Sequence, residues 1–223
     1  MVRETRHRAD LRGGGFSLIE LLVVVAVMGI VSAIALPQMI SQRRMVRSAG
    51  ITREIMTQMR QARQLAMSER KAFTFSYNNV TKQITIIDHN NLRTDPNSGK
   101  AVLSLAGYPN TAGSTVVSTY SLAQGGLNSA EIIYGIPTGL PTGALTDGVS
   151  MTALASNKLN ITFQRDGSVI NANGTASDRN PQDKALFIYN SKLPAATASA
   201  ISVLGASGRV KIWRYDNVSK FAE

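Results

Sequence analysis

The sequence predicts an α+β protein: one long N-terminal helix, apolar in its transmembrane half and amphipathic in its second half, packed on a C-terminal antiparallel β-rich head. Three observations carry this. An apolar run extends from Phe16 to Leu36, apolar side chains then recur at spacings of three and four from Ile51 to Ala66, and after Lys71 the period switches to two. These divide the chain into a leader (1–15), a transmembrane helix (16–37), an amphipathic helix (38–71) and a globular head (72–223).

The leader carries Arg3, Arg6, Arg8 and Arg12 against Glu4 and Asp10 and ends in Gly13, Gly14 and Gly15. Three glycines cannot hold a helix and leave the backbone open to a protease, so the segment reads as one that is removed. An ordinary secretory signal is cut beyond its apolar core; here the glycines precede the core, and a cut there leaves the apolar run attached.

That run, Phe16 to Leu36, is broken only by Ser17, Glu20, Gly29 and Ser32. At about 1.5 Å per residue it makes roughly 31 Å of helix, enough to cross a bilayer core. The alternative is a buried core helix. The leader arginines favour a cytoplasmic N-terminus, although Arg43, Arg44 and Arg47 on the far side reduce the asymmetry. Glu20 is the costly residue, since a carboxylate at the centre of a membrane helix costs about 2.5–3.5 kcal/mol and less near the interface. The new α-amino group made by cleavage before Phe16, in this chain or a neighbour, would compensate it. A hydrated interfacial Glu is the alternative.

Gly15 followed by Phe16, then Ser17-Leu18-Ile19-Glu20 and the apolar helix, resembles the class III signal of type IV pilins and of the pseudopilins of type II secretion systems. The resemblance implies that a prepilin peptidase cuts between Gly15 and Phe16 and methylates the Phe16 amine. It also implies that Glu20 neutralises an N-terminal amine during filament assembly, and that Pro37 kinks the helix where membrane-buried gives way to exposed. From the residues alone, Pro37 would equally serve as a helix stop. The partners implied are the prepilin peptidase, other pilin or pseudopilin subunits and the inner membrane, with a filament in the periplasm or at the cell surface as the final location.

Beyond Pro37, Ile51, Ile55, Met59, Ala62 and Ala66 line one helical face, which is expected to pack on a following sheet. The rest is basic: between residues 43 and 71, seven arginines and Lys71 face only Glu54 and Glu69.

In the head, Ala72–Tyr77 and Gln83–Ile87 alternate as strands around the turn-forming Asn78-Asn79, and 95–99 reads as a turn. Between Lys100 and Lys158 the only charged residues are Glu131 and Asp147. Short strands at Ser118–Leu122 and Glu131–Ile136 are expected there, with loops around Pro137 and Pro141 as a recognition surface. Leu159–Arg165 runs into the hairpin turn Asp166-Gly167 and then Ser168–Ile170; Ala185–Tyr189 follows, and Gly208–Tyr215 is expected to be the last strand. The order Ile161-Thr162-Phe163, Asp166-Gly167-Ser168, Phe187-Ile188-Tyr189 and Gly208-Arg209-Val210-Lys211-Ile212 resembles the C-terminal half of the GspH/FimT minor pilins and pseudopilins. Major pilins usually close their head with cysteines; this chain has none, which points to a minor subunit.

In the Gly208–Tyr215 strand, alternation places Arg209, Lys211, Trp213 and Tyr215 on one face. Arg209, Lys211, Trp213 and Arg214 are the candidate DNA contacts, cations for phosphates and an indole for stacking. Gly208-Arg209-Val210-Lys211 resembles the basic Gly-Arg-x-Arg motif of FimT-like pilins that bind DNA during uptake. The alternative is a solvated strand face with its aromatic residues packed at the edge. No cofactor, metal site or enzymatic activity is expected, because the chain has no cysteine, only His7 and His89, and no phosphate-cradling or nucleophile motif.

Overall fold

The computed structural model describes residues 16–89, 93–94, 101–102, 114–123, 129–170, 181–216 and 220–222. The leader with Gly15, and the turn expected at 95–99, lie outside the described residues. The chain forms two compact units, residues 1–41 and 42–223.

Helix α1 spans Leu18–Glu69. It starts at Ser17, whose hydroxyl accepts a hydrogen bond from the Ile19 N–H at 3.3 Å while its carbonyl accepts from Leu21 N–H at 3.1 Å. Pro37 lies inside the helix and does not stop it, because a proline deletes one backbone bond while the apolar and polar turns on either side remain good helix formers. The Ser41 hydroxyl donates to the Pro37 carbonyl at 3.2 Å. The helix stops at Glu69, two residues short of the expected Lys71, because Arg70 takes a left-handed conformation at φ 54° and turns the chain into the first strand.

In the second unit the strands are β1 (Ala72–Asn78), β2 (Gln83–His89), β3 (Arg93–Thr94), β4 (Ala101–Val102), β5 (Ser114–Ser121), β6 (Ile132–Tyr134), β7 (Lys158–Phe163), β8 (Val169–Ile170), β9 (Lys184–Asn190), β10 (Ser199–Leu204), β11 (Arg209–Tyr215) and β12 (Phe221–Ala222). A one-turn helix, α2 (Pro194–Thr197), precedes β10. One antiparallel sheet has the order β5-β2-β1-β7-β8, a second has β12-β11-β10-β9-β6, and β3 pairs with β4. Phe75 sits opposite both Ile86 and Ile161, so the apolar sets of three strands fall on one face.

That face covers the helix stripe. Ile51, Ile55, Met59, Ala62 and Ala66 are buried with Phe73, Phe75, Tyr77, Ile84, Ile86, Ile161 and Phe163 of the first sheet, and the second sheet adds Leu186, Ile188, Ile201, Val203 and Val210. Each large side chain removed from water there contributes about 1.5–3 kcal/mol, and the two alanines let the sheets come close to the helix.

The other face of the second sheet carries a smaller core. Ala185, Phe187, Ala200, Trp213 and Phe221 bury Leu145 and Val149 from the segment after β6, with Ile136 and Leu140 packed at the margin. This corrects in part the expectation of an open recognition loop around Pro137 and Pro141. Only part of the segment seals the sheet: Pro137, Leu145 and Val149 are buried, while Thr138, Gly139 and residues 141–144 are exposed, so the loop around Pro141 keeps an open surface. Three further expectations are corrected. The strand expected at Ser118–Leu122 begins at Ser114, the one expected at Glu131–Ile136 shortens to Ile132–Tyr134, and the strand from Arg209 is followed by β12.

The two sheets meet through their turns. Val169 N–H donates to the Gly205 carbonyl at 2.8 Å, and Arg63 reaches from α1 to both turns, its Nη2 donating to the Ser207 carbonyl at 3.0 Å and its Nε to the Gly167 carbonyl at 3.4 Å. Gly208 has a φ of +61°, and a Cβ there would stand 1.7 Å from the Gly167 carbonyl oxygen.

Candidate functional sites

The N-terminal segment is built from Phe16, 83% exposed, the cap Ser17, and Glu20 in the first turn. Ser17 and Glu20 are three apart, the spacing of a capping box, and Glu20 therefore stands at the positive end of the helix dipole. An anion there gains about 0.3–1 kcal/mol when exposed, which offsets part of the membrane cost and leaves the rest to another positive group. The Ser-x-x-Glu spacing was legible in the sequence and was overlooked in favour of the amine alone. From Phe16 to Ile40 every large apolar side chain is exposed, and the segment is long and apolar enough to cross a membrane with none of it buried in the protein.

Residues 12–36 match the prokaryotic N-terminal methylation motif. The N-terminal segment thus carries a methylation motif. The methylation motif includes Gly15, Phe16 and Glu20 but ends before Pro37 and does not reach the head. Two crystal structures of the type IV minor pilin FimU of Pseudomonas aeruginosa PAO1, in space groups P21 and P65, are similar to the chain. They are 14% and 13% identical to it, cover 78% of it and 92% and 97% of themselves, and each gives a TM-score of 0.42. A likeness of that degree establishes neither family nor function. No curated protein matches the sequence significantly.

On β11 the four candidate DNA contacts do not form one surface. Trp213 is only 3% exposed. Its Nε1 donates to Ser202 Oγ at 2.8 Å, Ser202 Oγ donates to Asp147 Oδ2 at 2.5 Å, and Asp147 Oδ1 accepts from Val149 N–H at 3.2 Å. The indole therefore pins the segment after β6 onto the sheet and presents no stacking face for a base, which corrects its assignment as a nucleic-acid contact. Lys211 is half-buried with its Nζ 5.0 Å from the Trp213 ring centroid. Tyr215 packs against Phe221 with ring centroids 5.8 Å apart. Alternation placed these residues on one face correctly; what it could not reveal is that this face is covered.

Two exposed arginines remain, at opposite ends of the strand. Arg214 borders a cavity of about 220 Å³ with Met45, Ser48, Thr52 and Tyr215. Arg209 borders a groove of about 560 Å³ with Arg60, Arg63, Gln64, Met67 and Ser207. The sequence reading missed Arg60 and Arg63 as partners of Arg209, because only the fold brings the middle of α1 beside the β10–β11 turn.

Two polar groups, one at the margin of the head and one buried, hold structure. Arg44 Nε lies 3.4 Å from Glu131 Oε2, and Asn190 Nδ2 donates to the same oxygen at 3.0 Å; the Asn190 bond first, and then Arg44, hold the Glu131 carboxyl below its ordinary range. His89 Nε2 lies 2.7 Å from Thr74 Oγ1, and burial pushes its imidazole down to about 4. The unfolded chain, with His89 near its ordinary 6.5, binds more protons between these values, so stability falls as pH drops from about 6.5 to 4. The expected loss from this residue is up to about 3 kcal/mol, seen as a lower denaturant midpoint at pH 4.5 than at pH 7. His89→Gln should flatten that dependence; an unchanged slope would show that the imidazole is not responsible.

Proposed function

We propose that the chain is a minor pilin or pseudopilin, a structural subunit of a type IV pilus or of a type II secretion pseudopilus. It is made as a single-pass inner-membrane precursor with a cytoplasmic N-terminus. A prepilin peptidase cuts it between Gly15 and Phe16 and methylates the Phe16 amine. The mature chain then packs with other subunits through its N-terminal helix in a filament in the periplasm or at the cell surface. Glu20 neutralises an N-terminal amine in the bundle, and Pro37 eases the helix where it leaves the membrane-buried part. The observation that carries this is the methylation motif at the head of a helix whose large apolar side chains, Phe16 to Ile40, are exposed among the described residues. Such a surface is stable in lipid or in a bundle of like helices, and costly in water. The test is to shear filaments from cells and probe the sheared fraction for the subunit. The proposal expects it there when the assembly machinery is active, and its confinement to the membrane fraction would count against it.

A second reading, a FimT-like subunit that binds DNA during uptake, is favoured by one observation: Arg209 is exposed beside Arg60 and Arg63. Lys211 and Trp213, turned toward each other at the covered face, lend it no support.

A further inference from the structure

We infer that the end of the head built on α1 residues 43–52 is a docking surface for anionic phospholipid headgroups, with Arg43 in the headgroup layer and Arg214 at the mouth of a cavity that takes one lipid phosphate. This rests on the membrane-anchored reading and names the lipid class and the residues that hold the head to the bilayer. Strand register gathers the surface. Ser199 lies opposite both Ile188 and Arg214, and Ile132 lies opposite Asn190, so Glu131, Lys192 and Arg214 share one end of the second sheet. The helix meets that same end, through Thr52 Oγ1 at 2.8 Å from Ser199 Oγ and through the ion pair of Arg44 with Glu131.

Three features select a lipid surface. Arg43 comes three residues after Ile40, where the exposed apolar run ends, and Val46, 71% exposed, stands between Arg43 and Arg47. An exposed apolar side chain flanked by arginines suits the boundary between acyl chains and headgroups. Charge is the second feature: Arg43, Arg44 and Arg47 with Lys192 and Arg214 outnumber the carboxylates of this end, Glu131 and Asp216. Glu131 is held by Arg44 and Asn190, and Asp216 Oδ1 accepts from the Lys220 N–H at 3.1 Å. The next carboxylate along the helix, Glu54, accepts from Gln58 at 2.8 Å. The third feature is the cavity of about 220 Å³, which Arg214 borders with Ser48, Thr52 and Ser199. Its volume is below the about 300–1,000 Å³ of pockets that enclose drug-sized ligands, so it suits one phosphate of a larger body lying outside. The Arg214 guanidinium offers the fork that matches two phosphate oxygens, and the Ser48 hydroxyl, one helical turn before Thr52, adds a neutral donor.

The test reconstitutes the full chain, at a high ratio of lipid to protein, in vesicles of phosphatidylcholine with and without phosphatidylglycerol. Energy transfer is read from Trp213, the chain's one tryptophan and the neighbour of Arg214, to dansyl groups on the lipid headgroups. Transfer should be greater in the phosphatidylglycerol vesicles and fall toward the phosphatidylcholine value as salt is raised. Arg43→Gln and Arg214→Gln should each lower the ratio of docked to undocked heads about fivefold, and Arg209→Gln, at the other end of the strand, should leave it unchanged. Unchanged emission from the buried tryptophan in detergent checks that the variants keep the fold. A chain that does not float with vesicles of either kind would overturn the membrane-anchored reading and this inference with it. A chain that floats but shows equal transfer in the two lipids, or transfer that resists both substitutions, would overturn the inference alone. Transfer in phosphatidylcholine that rises with protein density would assign the surface to a second copy of the chain and so overturn it as well.

Discussion

Gly208→Ala is expected to destabilise the head by about 3–5 kcal/mol, at the top of the range for single substitutions. Two costs add. An alanine held at the φ of +61° that Gly208 adopts costs about 1–2 kcal/mol, because its Cβ crowds the following carbonyl. The Cβ would also lie 1.7 Å from the Gly167 carbonyl oxygen, and backbone cannot yield as a side-chain tip can. Relief requires the two turns to part, which breaks the Val169 to Gly205 bond and both bonds from Arg63. Each is worth about 0.5–1.5 kcal/mol, and more where the charged guanidinium donates. The chain has one tryptophan, Trp213, buried in the second core, so its fluorescence reports unfolding directly. Gly143→Ala is the control, since nothing lies within 4 Å of a Cβ there and it should stay within about 0.5 kcal/mol. Equal denaturant midpoints for the two variants would show that the turns do not meet as described.

Glu20→Ala is expected to leave the chain cut and membrane-inserted yet absent from sheared filaments. Removing the carboxylate makes the helix more apolar, so insertion becomes easier by up to about 2.5–3.5 kcal/mol. The loss appears only on assembly, where the N-terminal amine of a neighbouring subunit would enter a dry helix bundle with no counter-charge. Stranding one member of a buried ion pair typically costs about 3–5 kcal/mol. The Ser17 cap is unaffected by this change, because its hydroxyl bonds the Ile19 N–H and does not depend on Glu20, and the lost interaction with the helix dipole is only about 0.3–1 kcal/mol. Glu20→Asp should restore part of the incorporation. Filaments holding Glu20→Ala at the level of the unaltered chain would remove the assembly role from this residue.

The parts of the fold legible in the sequence were those in which one periodic face is buried. Ile51, Ile55, Met59, Ala62 and Ala66 were picked out by spacing alone, and all five are buried. Strands with bulky alternating residues, such as Ala72–Asn78 and Lys158–Phe163, were legible for the same reason. β10 was not, because Ser199-Ala200-Ile201-Ser202-Val203-Leu204 mixes small and large residues and is covered on both faces, which hides the alternation. Trp213 was misplaced by the same cause: a face expected to be wet is sealed by Leu145 and Val149 from a stretch without periodicity. The methylation motif is written in contiguous residues, 12–36, and so was legible without the fold. The groove around Arg209 joins residues about 150 positions apart in the chain, and such a site is invisible until the turns are seen to meet the helix.

In the proposed function, the cut made before the apolar run creates the amine that Glu20 needs. It is tested most directly by the mass and N-terminal sequence of the mature chain purified from membranes or filaments of its own cells. The expected product begins at Phe16 and carries one methyl group on its α-amine. A chain that still begins at Met1, or one cut beyond Leu36 so that the apolar helix is lost, would contradict it.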